Sequence, residues 1–502
     1  MTSPVVLDGR SLKVRDVIAA ARGGAPVSID AGARKRLIAS RQVVEHAVAK
    51  GTTVYGVNTG FGKLAHVRIA AGDVLRLQRN LIISHVAGVG DPLPIDVVRA
   101  LMLLRANVLL METSGVRPEL PERLVAMLNA RVHPVVPEQG SVGASGDPAP
   151  LSHVALALIG EGEVWDPGAT GARLPALEAL RTAGIEPIEL QAKEGIAFIN
   201  GTQAQTAMLA LLVHDARNLW RAAHAAAATS LEALRGTPDP FDDALHRIRP
   251  HPGQLASAAL LRDLLADSEI RESHRDGDPR VQDAYSLRCA PQILGPVWDA
   301  IEYAGRALDI ELNAATDNPL VIGDAIVSGG NFHGQVVALA LDFLAIALTT
   351  LAGVAERRIE RLVNPDLSQG LPPFLTPHAG VESGYMMVQI TAASLVAECR
   401  VLAAPASVQS IPTDANQEDF VPMGMAAAVK ARRILANARR VVAAELLCAV
   451  QGLEFLKPLK PGRGVQGVYR WVRARIPPLE HDRTITPDLE RLATALETES
   501  PV

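Results

Sequence analysis

Hydrophobic and polar residues in the second half of the chain repeat at helical spacing over long stretches. Five such stretches, rich in alanine and leucine, cover residues 204–235, about 292–314, 335–363, 383–404 and 423–456. Helices of about 20–35 residues exceed the mean of about 11–12 in globular proteins, so a bundle of long parallel and antiparallel helices is predicted. Alanine on so many faces indicates close helix–helix approach, between subunits as well as within one.

The region before Asn200 combines short helical patterns with many glycine and proline breaks. Turn-forming runs occupy residues 55–62, 86–93 and 137–150, because glycine supplies positive φ and proline ends helices. A helix is predicted after the third run, from about Leu151 to Ile159. We therefore expect a mostly α-helical protein in two parts. Residues 1–200 form a mixed, loop-rich region, and residues 201–502 form the long-helix bundle with a C-terminal helical cap.

Composition narrows the class of protein. Net charge is only −5 and the basic residues are scattered, so neither a nucleic-acid surface nor an anionic-membrane surface is indicated. Cys289, Cys399 and Cys448 lie far apart, so they predict neither a disulfide framework nor a CxxC metal site. Such cysteine usage is typical of a reducing, intracellular compartment. We expect a cytoplasmic protein.

No membrane segment is predicted. The N-terminus shows no basic patch followed by an apolar stretch, as a secretory signal would. The most apolar long run, Val336–Val354, contains Asp342, Thr349, Thr350 and Gly353. This run is alanine-rich and predicts a helix buried within protein rather than one that spans a membrane.

Two glycine-rich loops resemble known motifs and fail them. The loop from Gly56 to Lys63 is followed by Leu64, so it lacks the Ser or Thr that binds Mg²⁺ in a phosphate-binding loop. A nucleophile elbow around Ser145 requires glycine two places later, where Asp147 stands. The thirteen histidines include no HExxH pair, so no zinc or other metal site is predicted.

Three tiny residues, Ala144-Ser145-Gly146, stand inside the third turn-forming run. Taken alone, such a segment is usually an interhelical turn, here with Asp147 as the N-cap of the next helix. A second interpretation is chemical. In a tight, strained turn the Gly146 nitrogen can attack the Ala144 carbonyl, while Ser145 loses its hydroxyl as water. The product is a five-membered ring with an exocyclic methylidene, which accepts electrons at carbon.

The run from Gly140 to Asp147, with Ala-Pro-Leu-Ser-His153 downstream, closely resembles the self-cyclising motif of the aromatic amino acid ammonia-lyases. Those proteins carry 4-methylidene-imidazole-5-one (MIO) made from Ala-Ser-Gly. Six further segments resemble the family and follow in family order: Tyr55–Gly62, Asn200–Gln203, Gln282–Arg288, Asp317–Leu320, Ser328–His333 and Asn416–Asp419.

The resemblance implies a mostly helical fold centred on a long-helix bundle of the fumarase/aspartase type. It implies MIO formed from Ala144-Ser145-Gly146 as the only cofactor, with no external cofactor and no metal. It also implies a homotetramer whose active sites collect loops from neighbouring subunits. The substrate would be a small-molecule amino acid.

The resemblance also assigns roles. Tyr55 would remove the β-proton of the substrate, which requires a pKa lowered from about 10 by positive charge or helix N-termini. Taken alone, the motif would favour a packed, hydrogen-bonded core tyrosine at this position. Arg288, one helical turn after Tyr285, would hold the substrate carboxylate through two parallel hydrogen bonds; a surface ion pair is its ordinary alternative. Asn200, Gln282 and Tyr285 match positions around the ring and the carboxylate.

By the same resemblance, Phe332 matches an apolar pocket position. Two other places, Ser84-His85 and Glu418, bear on the choice of substrate. Ser84-His85 stands where relatives acting on tyrosine carry His-Leu and those acting on phenylalanine carry Phe-Leu. Glu418 can accept a hydrogen bond from an imidazole N–H, whereas a phenyl ring would leave its charge unpaired. The expected reaction is therefore the conversion of L-histidine to trans-urocanate and ammonia.

Some positions depart from the family pattern. Pro148 stands where Leu is usual and Ala284 where Pro is common, and Phe420 and Pro422 replace the His and Ser of relatives that act on histidine. The alternatives are a lyase for tyrosine or phenylalanine, a 2,3-aminomutase of the same family, and a non-catalytic helical scaffold. Whether the substrate amine or the substrate ring attacks the methylidene also stays open.

Overall fold

The computed structural model describes residues 3–502, most of them in helices. Nineteen α-helices lie within this part of the chain. In chain order they are α1 Val14–Ala21, α2 Ala31–Ala49, α3 Val74–His85, α4 Ile95–Leu109, α5 Glu119–Asn129, α6 Pro148–Leu158, α7 Ala176–Thr182, α8 Glu194–Ile199, α9 Gln203–Ala233, α10 Asp243–Arg247, α11 Pro252–Leu264, α12 Glu269–Glu272, α13 Tyr285–Arg288, α14 Ala290–Glu311, α15 Gln335–Val363, α16 Met386–Leu402, α17 Gly424–Glu454, α18 Arg463–Arg473 and α19 Thr486–Thr498.

Short strands pair into four two-stranded sheets. One pair is parallel, with Val5 opposite Val27, and the other three are antiparallel. The pairs are β1 Val5–Leu7 with β2 Val27–Ile29, β3 Val89–Pro92 with β4 Pro137–Gln139, β5 Glu163–Trp165 with β6 Arg173–Pro175, and β7 Leu320–Ile322 with β8 Ala325–Val327.

The long-helix prediction is confirmed. Each of the five periodic stretches forms one helix, namely α9, α14, α15, α16 and α17, and the observed ends lie within three residues of the predicted ones. Periodicity identifies such helices well because their apolar faces recur over many turns. The helix predicted from about Leu151 to Ile159 also forms, but it begins earlier, at Pro148. Proline suits this first position because it has no N–H to leave unpaired.

The chain folds into two compact units, each built from several segments. The first unit contains the chain up to Leu211, Ala304–Asp342 and Pro405–Val429. The second unit contains Leu212–Tyr303, Phe343–Ala404 and Lys430–Val502. The division of the sequence near residue 200 stays a prediction.

Helix α4 forms the centre of the first unit. All residues from Val97 to Leu109 are buried, and α4 packs against α1 and α5. A helix buried on every face needs partners for its polar side chains as well as for its apolar ones. Its buried Arg105 donates hydrogen bonds to the backbone oxygens of Asn200 (3.0 Å) and Ala197. Arg105 thereby ties the junction of α8 and α9 to the core of the unit.

The second unit is stabilised by a buried ion pair among its long helices. Arg358 on α15 donates two hydrogen bonds to the Glu445 carboxylate on α17, at 2.5 and 2.8 Å. The Ser230 hydroxyl on α9 donates a third to the same carboxylate, at 2.7 Å. A buried charge that loses such partners costs several kcal/mol, roughly 3–5, so this cluster fixes how the three helices pack.

The apolar run Val336–Val354 lies within α15, as predicted. By length and composition α15 is apolar enough to cross a membrane, but 61% of its most apolar window is buried inside the protein. Core helices commonly combine these two properties. Burial therefore accounts for the apolar composition of α15.

Candidate active site

The Ala144-Ser145-Gly146 segment lies in a tight turn within the first unit. Gly143 and Gly146 both have left-handed φ, +76° and +72°, and they pair across the turn. The Asp147 N–H donates a hydrogen bond to the Gly201 oxygen at 2.8 Å, and the Gly201 N–H donates to the Ser145 oxygen at 3.3 Å. The turn is therefore held along one side by the start of the α9 segment.

The opposite side of the turn is held as well. The Met423 N–H donates to the Val142 oxygen at 2.7 Å, and the Gly334 N–H donates to the Gly143 oxygen at 3.1 Å. A Cβ on Gly146 would collide with the Gly201 backbone, so this position requires glycine. Backbone contacts from three separate segments thus compress the tripeptide.

The Asp147 carboxylate anchors the turn to helix α9. It is fully buried and accepts hydrogen bonds from the N–H groups of Ala204 (3.1 Å) and Gln205 (3.0 Å), in the first turn of α9. Ser141 donates another at 3.0 Å and the Gln205 amide another at 3.2 Å. Burial outweighs these bonds and raises the pKa of Asp147 to about 6.

This arrangement differs from the expected N-cap. Asp147 does precede α6, but its side chain makes no capping bond to that helix. The carboxylate instead accepts hydrogen bonds from two N–H groups in the first turn of α9, a helix more than 50 residues further along the chain. Two aligned donors at the positive end of a 31-residue helix stabilise a carboxylate well, whereas Pro148 offers α6 no donor at its first position.

A cavity of about 780 Å³ opens beside the turn. Its lining brings together eight residues selected from the sequence, all in the first unit: Tyr55, Ser84, His85, Ala144, Ser145, Gly146, Asn200 and Glu418. The cavity also has an apolar lining that the sequence patterns did not single out, including Phe61, Leu64, Val67, Ile69, Leu77 and Ile199.

Glu418 contacts the Ala144-Ser145-Gly146 turn directly. Its Oε1 accepts a hydrogen bond of 2.6 Å from the Ser145 hydroxyl, and its Oε2 accepts one of 2.5 Å from the Thr413 hydroxyl. The Thr413 N–H also donates to the Glu418 backbone oxygen at 2.9 Å, which closes a short loop. We call residues 413–418 the Glu418 loop. Three consecutive non-glycine residues in it, 414–416, have left-handed φ.

Such conformations cost roughly 1–3 kcal/mol per residue and persist only where surrounding contacts maintain them. In the Glu418 loop these contacts include the Thr413–Glu418 pairs and the Ser145 hydroxyl. Sequence analysis selected Glu418 but missed Thr413, because a single threonine carries no pattern of its own.

Tyr55 lies in a second loop, residues 55–64, which we call the Tyr55 loop. Val57 anchors this loop in a buried cluster together with Val44, Val74, Ala192 and Val321. The Tyr55 hydroxyl oxygen accepts a hydrogen bond of 3.2 Å from the Gly62 N–H. Anchoring through Val57 keeps the phenol at the wall of the cavity.

The pKa of Tyr55 is shifted upwards, opposite to the direction that its expected role requires. Burial raises it, the Gly62 N–H lowers it, and the negative charges of Asp414 and Glu418 raise it further. The net effect is a pKa above the ordinary value of 10. A base must lose its proton, so this unit by itself does not provide the positive charge that the role of Tyr55 requires.

Ser84 and His85 end helix α3 at the cavity. The His85 Nδ1 lies 2.8 Å from the Leu81 oxygen, and the Ser84 hydroxyl donates to the same oxygen at 3.1 Å. A ring that donates through Nδ1 is left with Nε2 as an acceptor when it is neutral. The pair therefore presents an imidazole of fixed orientation.

Asn200 contributes a buried acceptor that is not used. Its amide nitrogen donates to the Asn318 oxygen at 3.0 Å, which orients the side chain. Its Oδ1 is buried and has no hydrogen-bond partner among residues 3–502. Buried acceptors are normally satisfied, so an orphaned one on a cavity wall points to a ligand or modified group with an N–H.

Four predicted residues do not line this cavity. Gln282, Tyr285 and Arg288 belong to the second unit. Tyr285 and Arg288 form the short helix α13, as their spacing predicted, and the guanidinium lies 4.8 Å from the centre of the tyrosine ring. The Tyr285 side chain is 70% exposed. Phe332 lies in the first unit and is half-buried.

Comparison with known proteins places this chain in a family. Residues 12–474 match the family model described as aromatic amino acid lyase. The chain belongs to the aromatic amino acid lyase family. Membership in the aromatic amino acid lyases implies an MIO-type prosthetic group.

Individual aromatic amino acid lyases resemble the chain over nearly its whole length. A histidine ammonia-lyase of Caldanaerobacter subterraneus is 52% identical over 487 residues, which cover 97% of this chain and 95% of that protein. The crystal structure of histidine ammonia-lyase from Trypanosoma cruzi superposes with a TM-score of 0.91 at 44% identity, covering 99% of this chain and 93% of that one. Tyrosine aminomutase from Streptomyces globisporus superposes with a TM-score of 0.94 at 39% identity, covering 98% and 97%.

Proposed function

We propose that this protein is a carbon–nitrogen lyase that converts L-histidine to trans-urocanate and ammonia without oxidation. The observation that carries the proposal is the position of Glu418, whose Oε1 lies 2.6 Å from the Ser145 hydroxyl in the cavity that also contains Tyr55. A carboxylate at this point accepts a hydrogen bond from an imidazole N–H. A phenyl ring would leave the same charge without a partner, at a cost of roughly 1–3 kcal/mol or more.

The residues present fit an MIO group formed from Ala144, Ser145 and Gly146. The proposed ring formation joins the Gly146 nitrogen to the Ala144 carbonyl carbon with loss of one water, and Ser145 loses its hydroxyl and α-hydrogen as a second water. The left-handed turn, its backbone contacts on both sides and the lack of a Cβ at Gly146 favour this closure. The orphaned Oδ1 of Asn200 is an acceptor suited to the N–H of a bound substrate amine rather than to the ring, which carries no N–H.

Such a ring supplies a carbon electrophile, which no ordinary side chain provides. The other requirements are met by side chains. Glu418 binds and orients the substrate imidazole. The Asn200 Oδ1 accepts a hydrogen bond from the substrate amine. Tyr55 accepts the β-proton, so that the double bond of urocanate forms as ammonia departs.

Tyr55 needs a nearby positive charge, because burial and two carboxylates raise its pKa. Arg288 is the proposed source, and it also binds the substrate carboxylate through its planar guanidinium. Gln282 and Tyr285 are proposed to act beside it. We propose that these three residues reach the cavity from a neighbouring subunit of a cytoplasmic homotetramer. The 70% exposure of the Tyr285 side chain supports this arrangement.

The direct test is incubation of the purified protein with L-histidine while the ultraviolet absorbance of urocanate is recorded. The intact mass of the protein should fall short of the sequence mass by two water molecules per chain. Ser145→Ala should fold normally, show no such deficit and form almost no urocanate. An active Ser145→Ala protein would contradict the mechanism. A wild-type protein without the deficit and without activity would instead favour a non-catalytic scaffold.

A tyrosine-specific 2,3-aminomutase is the second candidate. One support is the structural likeness to the Streptomyces globisporus tyrosine aminomutase. The other is Phe420, which follows the polar Glu418 loop with an aromatic ring that is 58% exposed and stacks on His333. Incubation with L-tyrosine and L-phenylalanine separates the candidates. Formation of a β-amino acid or of an aryl acrylate, with no urocanate from L-histidine, would favour this second function.

A further inference from the structure

Two adjacent backbone N–H groups of the Tyr55 loop bind different partners, one within that loop and one in the Glu418 loop. The Gly62 N–H donates to the Tyr55 hydroxyl oxygen at 3.2 Å. The next N–H along the chain, that of Lys63, donates to Asp414 Oδ2 at 3.0 Å. One dipeptide therefore contacts both the proposed base and the loop that carries the proposed ring acceptor.

The approach of the two loops depends on residue size and on backbone conformation. Gly62 has a left-handed φ of +51°, and a Cβ at this position would collide with the Asp414 carboxylate. Asp414 itself has a left-handed φ of +48°. A non-glycine residue adopts this conformation only where its contacts stabilise it. The contact with Lys63 is such a contact, and it lies at the wall of the cavity, which Asp414 also lines.

We propose that Asp414 is a positioning residue that holds the Tyr55 loop against the Glu418 loop, so that the base and the ring acceptor face one substrate molecule. The proposal rests on the function proposed above. Asp414 acts through the Lys63 N–H and makes no hydrogen bond to the Ala144-Ser145-Gly146 turn. Its loss should therefore impair the alignment of Tyr55 while leaving ring formation intact.

The contact is tested first by hydrogen–deuterium exchange of the peptide that contains Lys63, in the purified full-length protein. Asp414→Ala removes the acceptor and should speed exchange of the Lys63 amide by about 10-fold. Asp414→Asn keeps an oxygen acceptor without the charge and should give a smaller increase. The matched control is Asp91→Ala, an exposed carboxylate on β3 of the same unit that does not line the cavity. Unchanged exchange in Asp414→Ala would overturn the proposal.

Kinetics with L-histidine provide the second test. Asp414→Ala should lower kcat by about 10-fold with a smaller change in KM, because the base is displaced more than the ring acceptor. The intact mass should still show the loss of two waters. Because Asp414 and Glu418 are the charged groups that raise the pKa of Tyr55, removal of one charge should shift the rising limb of the pH–rate profile to lower pH in Asp414→Asn.

Failure of the Asp414 proposal can be told apart from failure of the proposed function. If the wild-type protein forms no urocanate, the proposed function fails, while amide exchange still decides whether Asp414 holds the loops together. If the wild type is active, an unchanged kcat in Asp414→Ala together with an unmoved pH limb in Asp414→Asn would show that Asp414 has no positioning role.

Discussion

The Ser145 hydroxyl and the Glu418 carboxylate are joined by a hydrogen bond of 2.6 Å, although 273 residues separate them in the sequence. The residue proposed to lose its hydroxyl thus contacts the residue proposed to recognise the substrate ring. Once Ser145 is dehydrated, this donor no longer exists, and Oε1 of Glu418 becomes available to another N–H or O–H group. The proposed recognition of imidazole by Glu418 would therefore depend on completion of the proposed ring.

Glu418→Gln should lower kcat/KM for L-histidine by about 10- to 100-fold, because hydrogen bonds to charged groups contribute roughly 1.5–3 kcal/mol. Steady-state kinetics on L-histidine measure this loss. Any trace activity on L-phenylalanine should fall much less, since a phenyl ring donates no hydrogen bond to the carboxylate. Equal losses on the two substrates would remove the proposed role of Glu418, provided that the intact mass shows a normal ring.

Arg280 should control the segment that carries Gln282, Tyr285 and Arg288. Its guanidinium donates to the Leu234 oxygen at 3.1 Å, to the Asp278 carboxylate at 2.9 Å and to Asp283 at 3.1 Å, all within the second unit. Removal of the Arg280 guanidinium would break these hydrogen bonds together. The segment that begins at Asp278 would then no longer be tied to Leu234, just after the end of helix α9.

Arg280→Ala should accordingly raise KM for L-histidine by about 10-fold and make residues 276–284 more sensitive to limited proteolysis. Arg275→Ala is the matched control. Arg275 lies five residues before Arg280 and forms an exposed ion pair with Glu272. Exposed pairs contribute little, so this control should leave both measurements unchanged. A protease-resistant Arg280→Ala protein with normal KM would contradict the prediction.

Acid should destabilise the first unit through His133. Its Nε2 lies 2.8 Å from the Arg99 guanidinium, and burial, followed by the charges of Arg99 and Arg131, lowers the pKa of His133 to about 4. The unfolded chain, with a pKa near 6.5, binds more protons in the interval between these values. The contribution of His133 to the free energy of unfolding should therefore be fully present above pH ~6.5 and decrease by up to ~3 kcal/mol as pH falls towards ~4.

His133→Gln tests this pH dependence, because the glutamine oxygen can still accept from Arg99 but does not titrate. Denaturant unfolding across this pH interval should show a shallower decline in the variant than in the wild type. His46→Gln, at an exposed position on α2, is the control and should keep the wild-type slope. Parallel slopes for wild type and His133→Gln would show that other groups govern acid stability.

The long helices were predictable because their apolar spacing recurs over many turns, and helix α15 keeps its predicted ends at residues 335 and 363. The turn at Ala144-Ser145-Gly146 was predictable as well, since glycine and proline mark turn-forming runs. The short pairs such as β7 and β8 were not predicted, because three-residue strands carry too little periodicity to identify.

Contacts between distant segments were the least predictable. Asp147 was expected to cap the helix that follows it, yet its carboxylate binds the first turn of α9. Lys63 and Asp414 are 351 residues apart, and neither carries a pattern that identifies the other. The direction of the Tyr55 pKa depends on two carboxylates brought close only by folding. Local patterns cannot specify such pairs, because tertiary packing decides which polar groups meet.

The anchoring of Asp147 to helix α9 has a consequence for how such a protein can diversify. The turn that would generate the electrophile is fixed to helix α9, whereas Glu418, the acidic residue proposed to face the substrate, is carried on a short surface loop closed mainly by its own pairs. Mutations in that loop can therefore alter which amino acid is chosen while the electrophile is retained.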